Sequence, residues 1–245
     1  MKPLPLPPQD LRFMQEDDAA FITIGDGLVA KLKTIAGLHS ETSIIDIGSG
    51  YGRLAHALLR GDFKGQYHGF DILKRHVTWC QANLSTDHVS FGYLDIYNSR
   101  YNPAGSVKAH DIKLENYVNR SDLVVLTSVF THMLPDEIEN YVSCFPTLLL
   151  PDGRVCATFF LITDQRRGLI DENKSKLSLP FKLTPYARYH NADDPLHAIA
   201  FEEQWVRDVL HQNGMTIRQI DYGYWCGQQQ TNSALYQDFV VFSPN

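Results

Sequence analysis

Short apolar runs, bounded by glycine, proline and polar turns, alternate through the middle of the chain with longer segments whose apolar residues recur at helical spacing. The runs near 43–47, 66–71, 88–94, 121–127 and 153–161 predict strands, and the segments near 52–60, 74–84 and 135–148 predict helices. This succession predicts an α/β fold with a doubly wound parallel sheet. Pro151-Asp152-Gly153 is read as the turn into the last of those strands. A helix over 201–213 should stop at Gly214, with two more strands over 215–222 and 236–242 joined by a polar loop. Ahead of the core, two short helices are expected over 11–20 and 26–36, the second ended by Gly37. The stretch 163–200 is long, polar and interrupted by proline, which is unusual for a mere connection. Its aromatic, histidine and arginine content favours a substrate lid over a surface insertion.

A length of 245 residues suits one such domain with an insertion or cap. With 44% hydrophobic and 20% charged residues, and no apolar run near the roughly 18 residues needed for a membrane span, the chain reads as a soluble globule. The proline-rich start is unlike a signal peptide, so a cytoplasmic location is expected. Cys80, Cys144, Cys156 and Cys226 have neither metal-ligand nor disulfide-framework spacing and are read as packing residues. The net charge of −6 gives no global attraction for phosphates, and the basic stretch around Arg166, Arg167 and Lys174 reads as a solvated face. No nucleic-acid partner is expected.

The chemistry is concentrated after the first strand, in Asp46-Ile47-Gly48-Ser49-Gly50-Tyr51-Gly52-Arg53. Three alternate glycines permit a tight turn and close approach of a ligand. Asp71, at the end of the second strand, stands at the spacing of a carboxylate that accepts two ribose hydroxyls. A dinucleotide site would need another glycine where bulky Arg53 stands, so a nicotinamide cofactor is disfavoured.

The segment 46–52 resembles the first motif of the class I S-adenosylmethionine-dependent methyltransferases, whose cofactor has a ribose and an adenine but no phosphate. The resemblance runs on through Phe91-Gly92-Tyr93-Leu94-Asp95-Ile96, where it implies an acid near the adenine amino group. It continues through Ser121 to Met133, which is similar to the fourth strand and the loop passing the reactive methyl, and so covers 43–160. It implies a Rossmann-like seven-stranded sheet with an antiparallel last strand. The expected organisation is an N-terminal helical cap over 1–40 and a cofactor-binding domain over 41–245, with the lid at 163–200. The candidate cofactor residues are Asp46, Gly48, Ser49, Gly50, Gly52, Arg53, Asp71, Ile72, Asp95, Ile96 and Ser128. Arg53, or Arg12, could pair with the cofactor carboxylate.

An alcohol acceptor must lose a proton, and histidine is suited to take it; His132, His190 and His197 are the candidates. His132 could instead pack beneath the cofactor through a backbone hydrogen bond. The fourth-strand loop lacks the Asn/Asp-Pro-Pro-aromatic signature of base N-methyltransferases, and no cysteine follows a proline as in cytosine C5 chemistry. The metal-binding aspartate of catechol-type enzymes is missing too, which argues for a metal-independent reaction. Tyr222-Gly223-Tyr224-Trp225-Cys226-Gly227 and Tyr236-Gln237-Asp238 resemble a bacterial subset associated with small molecules and glycoconjugates. Trp225 is readable either as an acceptor-stacking ring or as a core anchor, and Tyr51 and Phe130 share that ambiguity. The expected activity is methyl transfer to a hydroxyl of a small molecule or sugar, with S-adenosylhomocysteine as product. The alternatives are an N-methyltransferase and a non-catalytic S-adenosylmethionine-binding protein.

Overall fold

The computed structural model describes residues 4–13, 16–114, 120–227 and 235–245. In chain order its longer elements are α1 (Asp18–Ala36), β1 (Ile44–Ile47), α2 (Arg53–Arg60), β2 (Tyr67–Asp71), α3 (Lys74–Asn83), β3 (Val89–Tyr93), β4 (Ile96–Tyr97) and β5 (Val107–Lys108). There follow β6 (Ser121–Leu126), α4 (Pro135–Leu148), β7 (Leu149–Phe159), β8 (Leu161–Ile162), α5 (Asp164–Asp171), β9 (Phe181–Thr184) and β10 (Ala187–Tyr189). The chain then forms β11 (Ile199–Glu202), α6 (Glu203–Gln212), β12 (Met215–Asp221) and β13 (Asp238–Pro244).

Seven strands make the main sheet in the order β3, β2, β1, β6, β7, β13, β12. Only β13 runs antiparallel, between β7 and β12. This is the expected Rossmann-like fold with an antiparallel last strand. Both faces of the sheet are covered, and alternate residues feed two cores. Ile44, Leu123 and Val125 pack with Leu32, Leu54, Leu58 and Val77 of α1, α2 and α3. Ile45, Ile47, Val124 and Leu126 pack with Ile138, Phe145 and Leu210 of α4 and α6. Among the described residues no helix is long and apolar enough to cross a membrane.

Four expectations are corrected. The two helices over 11–20 and 26–36 are replaced by a short 3-10 turn at Gln9–Leu11 and one continuous α1; residues 14–15 lie outside the described set. Gly25 does not break α1. A Cβ there would sit 3.1 Å from Arg53 O and 3.3 Å from Ala57 Cβ, so the glycine lets α1 lie close on α2. Pro151-Asp152-Gly153 falls inside β7, where Asp152 takes φ 66° as a local irregularity. That strand also stops at Phe159, and the chain leaves the main sheet for β8. Finally, 201–213 is not all helix, because Phe201 pairs with Ala187 and Leu161 in β11 before α6 starts.

The stretch 163–200 folds as α5 and the β9–β10 hairpin, which joins β8 and β11 in a second sheet ordered β8, β11, β10, β9. Its own core contains Phe160, Ile162, Ile170, Ala200, Trp225 and Cys226. A buried node ties it to the main sheet. Asp238, at the start of β13, accepts both Arg166 Nη1 contacts at 2.8 Å and the Trp225 Nε1 proton at 2.7 Å. The Gly223 and Leu161 amides complete its shell at 2.7 Å each. Trp225 is 0% exposed, so the acceptor-stacking reading is replaced by the core-anchor one. Phe130 is likewise buried against Phe145 and Phe159.

Candidate functional site

The sheet order reverses at β1, whose neighbours β2 and β6 are reached by connections on opposite sides. Such a switch point leaves a crevice beyond the carboxyl ends of the strands, where α/β folds take their ligands. The glycine turn fills this place. Gly48 (φ 78°) and Ser49 donate their amides to Phe70 O at 2.7 and 2.9 Å, fastening the turn to β2. A Cβ on Gly48 would lie 2.4 Å from Val129 Cγ2, whereas one on Gly50 (φ 54°) would meet nothing within 4 Å. The first glycine is needed for packing across to the end of β6; the second needs its dihedral and leaves open space above. Gly52 caps α2.

Two buried acids flank the turn. Asp71, 7% exposed, accepts Gly50 N through Oδ2 and Leu73 N through Oδ1, both at 2.7 Å. Burial raises its pKa to about 6, against the pull of the Leu73, Gly50 and Ile72 amides. Each oxygen keeps a lone pair for a hydroxyl donor. Asp46 accepts the Tyr67 hydroxyl at 2.6 Å through Oδ2, while Oδ1 is buried without a protein partner. Burial lifts Asp46 to about 7, the Tyr67 bond opposing and the Asp71 charge adding. Ser49 Oγ also lacks a partner, but it lies under the turn toward Gly69, leaving this residue's backbone for any ligand. An orphaned carboxylate oxygen, an acid with free lone pairs and open space over Gly50 fit a polar cofactor with a ribose diol.

Asp95 follows β3 and is held by hydroxyls: Ser106 Oγ donates to Oδ2 at 2.5 Å and Tyr93 Oη to Oδ1 at 2.9 Å. These bonds, Ser106 first, lower its pKa. Ile96 beside it is buried in β4, and half-buried Ile72 follows Asp71. At the end of β6, exposed Ser128 adopts φ 57°, with its amide on Thr158 Oγ1 at 2.7 Å and its hydroxyl on Gln237 Oε1 at 3.0 Å.

The arginines have found partners inside the chain. Arg53 Nη2 donates to Glu16 Oε1 at 2.9 Å and to Tyr51 Oη at 2.8 Å, and Tyr51 Oη donates to Glu16 Oε2 at 3.0 Å. Arg12 is turned to Pro7 O at 2.8 Å and pairs with Asp18 at 2.6 Å. Glu16, which sequence reasoning missed, thus brings the N-terminal segment onto the glycine turn.

His132, His190 and His197 come together although they arise from two segments. His132, in the 3-10 turn Phe130–His132 after β6, has Nδ1 2.8 Å from Leu196 O. That bond puts the proton on Nδ1 and leaves the lone pair of the neutral ring on Nε2. The His190 and His197 rings lie 5.1 Å apart, with His190 Nδ1 2.7 Å from Ser178 O. Burial first, then the Arg100 charge, lowers the pKa of His197; for His132 burial leads and the Arg100 and His197 charges add. Arg100 pairs with Asp194, fixing β4–β5 to the 163–200 segment. A run of rings connects the glycine turn to this cluster: Tyr51 to Phe13 at 5.7 Å, Phe13 to Tyr101 at 6.1 Å, and Tyr101 to His132 at 5.5 Å.

Residues 45–157 match a protein family described as "Methyltransferase domain". Among solved structures, the chain is similar to a protein from Pyrococcus horikoshii OT3, with a TM-score of 0.61, 14% identity, and 94% of this chain and 93% of that one covered. It is also similar to magnesium protoporphyrin IX methyltransferase from Synechocystis PCC 6803, crystallised with S-adenosylhomocysteine (TM-score 0.55, 18% identity, 96% and 88% covered). A third is 1,6-didemethyltoxoflavin-N1-methyltransferase from Burkholderia thailandensis (TM-score 0.52, 15% identity, 93% and 79% covered). At such identities the likeness to these structures is one of fold. The family match falls on the glycine turn, Asp71 and Asp95, the residues on which the chain's resemblance to the class I methyltransferases rests. The Synechocystis enzyme has also been crystallised with S-adenosylmethionine.

Proposed function

We propose that the protein transfers the methyl group to a hydroxyl of a small molecule, sugar or glycoconjugate, without a metal, and that His132 takes the hydroxyl proton. The observation that carries this reading is the Nδ1 contact of His132 with Leu196 O at 2.8 Å, which fixes the basic tautomer beside the loop after β6. The lowered pKa keeps the ring neutral and able to accept a proton near pH 7.

When bound, S-adenosylmethionine supplies an electrophilic methyl on a sulfonium. Asp71 would hold the ribose diol, Asp95 with Ile72 and Ile96 the adenine end, and the Gly48–Gly52 backbone with Asp46 the remainder. Arg53, if it exchanges Glu16 for the cofactor carboxylate, would hold the methionine end, with Ser128 beside the methyl. The acceptor hydroxyl would give its proton to His132 Nε2, which would release it to solvent, while the methyl would pass from sulfur, which keeps the pair of the broken carbon–sulfur bond, to the acceptor oxygen. His197 and His190 line the same cluster and serve binding or proton exit. We place the substrate lid at 163–200, supported by the Leu196 and Asp194 contacts to His132 and Arg100, and a cap at 1–40, supported by Glu16 on the turn.

The experiment is methyl transfer from labelled S-adenosylmethionine to 4-nitrophenol, methyl glucoside and benzylamine. The expected outcome is transfer to a hydroxyl compound, with kcat falling about 100-fold in His132→Ala and cofactor affinity unchanged. The wild-type rate should fall as the pH drops and His132 takes up a proton. Transfer only to the amine, indifferent to His132, would refute O-methylation.

A further inference from the structure

Ser128 is a non-glycine residue in the left-handed region at the carboxyl end of β6. An L side chain is held there only by surrounding structure, and such residues collect at functional sites. The holding groups are identifiable. Thr158 Oγ1 accepts the Ser128 amide at 2.7 Å, so the Thr158 hydroxyl directs its own proton to Gln237 Oε1, 2.6 Å away. Ser128 donates its hydroxyl to the same oxygen at 3.0 Å. One amide oxygen therefore closes the turn over the ends of β6 and β7. The other end of that amide, Nε2, stands 3.5 Å from Thr131 Oγ1, the residue before His132.

Gln237 is itself fixed from behind. It precedes Asp238, the fully buried acid that Arg166, Trp225, Gly223 and Leu161 hold. Its side chain reaches the opposite way, to the crevice side of the sheet end.

We propose that Gln237 is a positioning residue of the methyl-transfer site, holding Ser128 in its left-handed turn beside the sulfonium end of the cofactor. This rests on the reading that puts Ser128 at that end. Gln237 acts through an acceptor oxygen given to two hydroxyls, so glutamate can replace it and alanine cannot. It acts through the backbone angle of Ser128, so a glycine at 128, which takes that angle freely, should make Gln237 dispensable.

The test is calorimetric titration with S-adenosylmethionine and S-adenosylhomocysteine of the wild type, Gln237→Ala, Gln237→Glu, Ser128→Gly and the Gln237→Ala/Ser128→Gly double variant. Thermal unfolding checks each fold, and Gln237→Met replaces Gln237→Ala if the latter does not fold. Gln237→Ala should weaken S-adenosylmethionine about tenfold or more, and Gln237→Glu should stay within about threefold of the wild type. The double variant should stay within about threefold of Ser128→Gly alone. A Gln237→Ala that binds like the wild type, a Gln237→Glu as weak as Gln237→Ala, or a defect undiminished in the Ser128→Gly background would each overturn the proposal. An Asp71→Ala arm separates the two possible failures. Retained binding there overturns the cofactor placement and the proposal with it; lost binding there beside an indifferent Gln237→Ala overturns the role of Gln237 alone.

Discussion

Asp71→Ala removes the carboxylate proposed to accept the ribose diol, and two opposing magnitudes decide what the variant should do. In binding, losing charge-assisted hydroxyl bonds costs about 1.5 to 3 kcal/mol, or about 10- to 150-fold in Kd. In folding, the same carboxylate is a burden. Its pKa rises from 3.8 to about 6, so keeping it ionised in the fold at neutral pH costs about 3 kcal/mol. Alanine removes that cost but strips the Gly50 and Leu73 amides of their acceptor, a loss of about 1 to 3 kcal/mol for each buried donor. The two folding effects largely offset, so the variant should melt near the wild type and lose affinity as a folded protein. Calorimetric titration with S-adenosylmethionine at pH 7.5, beside a thermal melt, reads both. A folded variant that binds within about threefold of the wild type, less than 0.7 kcal/mol, would refute the ribose assignment.

Other outcomes follow from neighbouring groups. Because burial raises Asp71 to about 6, folding takes up a proton there, and its contribution to stability falls as pH rises from about 4 through 6. Buried His76, lowered to about 4, tilts stability the other way, so the carboxylate is read as a difference: unfolding midpoints from pH 5 to 8 should show the wild type gaining on Asp71→Ala as pH falls. Cofactor affinity should show the opposite slope, weakening below about pH 6 as the ribose acceptor is protonated. Glu16→Ala should lower stability by about 1 to 3 kcal/mol in urea unfolding by removing the carboxylate that Arg53 and Tyr51 share, while S-adenosylmethionine binds at least as tightly to the guanidinium released from it. Asp238→Asn breaks a buried ion pair with Arg166 and should cost about 3 to 5 kcal/mol in the same assay; a loss under about 1 kcal/mol would show the node is not structural.

What the sequence disclosed was what local chemistry dictates. A strand buried on both faces is apolar throughout, as in Ile44–Ile47, and a turn with left-handed dihedrals needs glycine, as at Gly48 and Gly50. Asp71 was legible because one strand–turn–helix–strand unit fixes its spacing from the turn. Elements decided by distant partners were not legible. Gly25 looks like a helix break until α2 is seen against it. Phe201 is as apolar in a strand as in a helix, and only its pairing with Ala187 and Leu161 decides. Glu16 and Gln237 meet Arg53 and Ser128 across 37 and 109 positions, and neither has a local pattern that announces it. The strands β8 to β11 are too short for periodicity to separate them from a loop.

The two halves of the proposed reaction draw on the chain differently. The donor side is nearly contiguous, from the glycine turn to Asp95, and rests on adjacent parallel strands paired in unbroken register. The acceptor side and the methyl end of the donor instead meet on the short stretch 128–132, which three remote segments hold. The 163–200 segment gives the Leu196 carbonyl to His132, the start of β13 gives Gln237 to Ser128 and Thr131, and the N-terminal segment reaches His132 through Phe13 and Tyr101. Each contact is a single hydrogen bond or a ring edge, individually worth about 1 kcal/mol, so each can change without unseating the sheet. Under the proposed function, substitutions at Tyr101 and Asp194 should therefore move acceptor preference while leaving donor affinity in place, because neither is hydrogen-bonded to Asp71, Asp95 or the glycine turn.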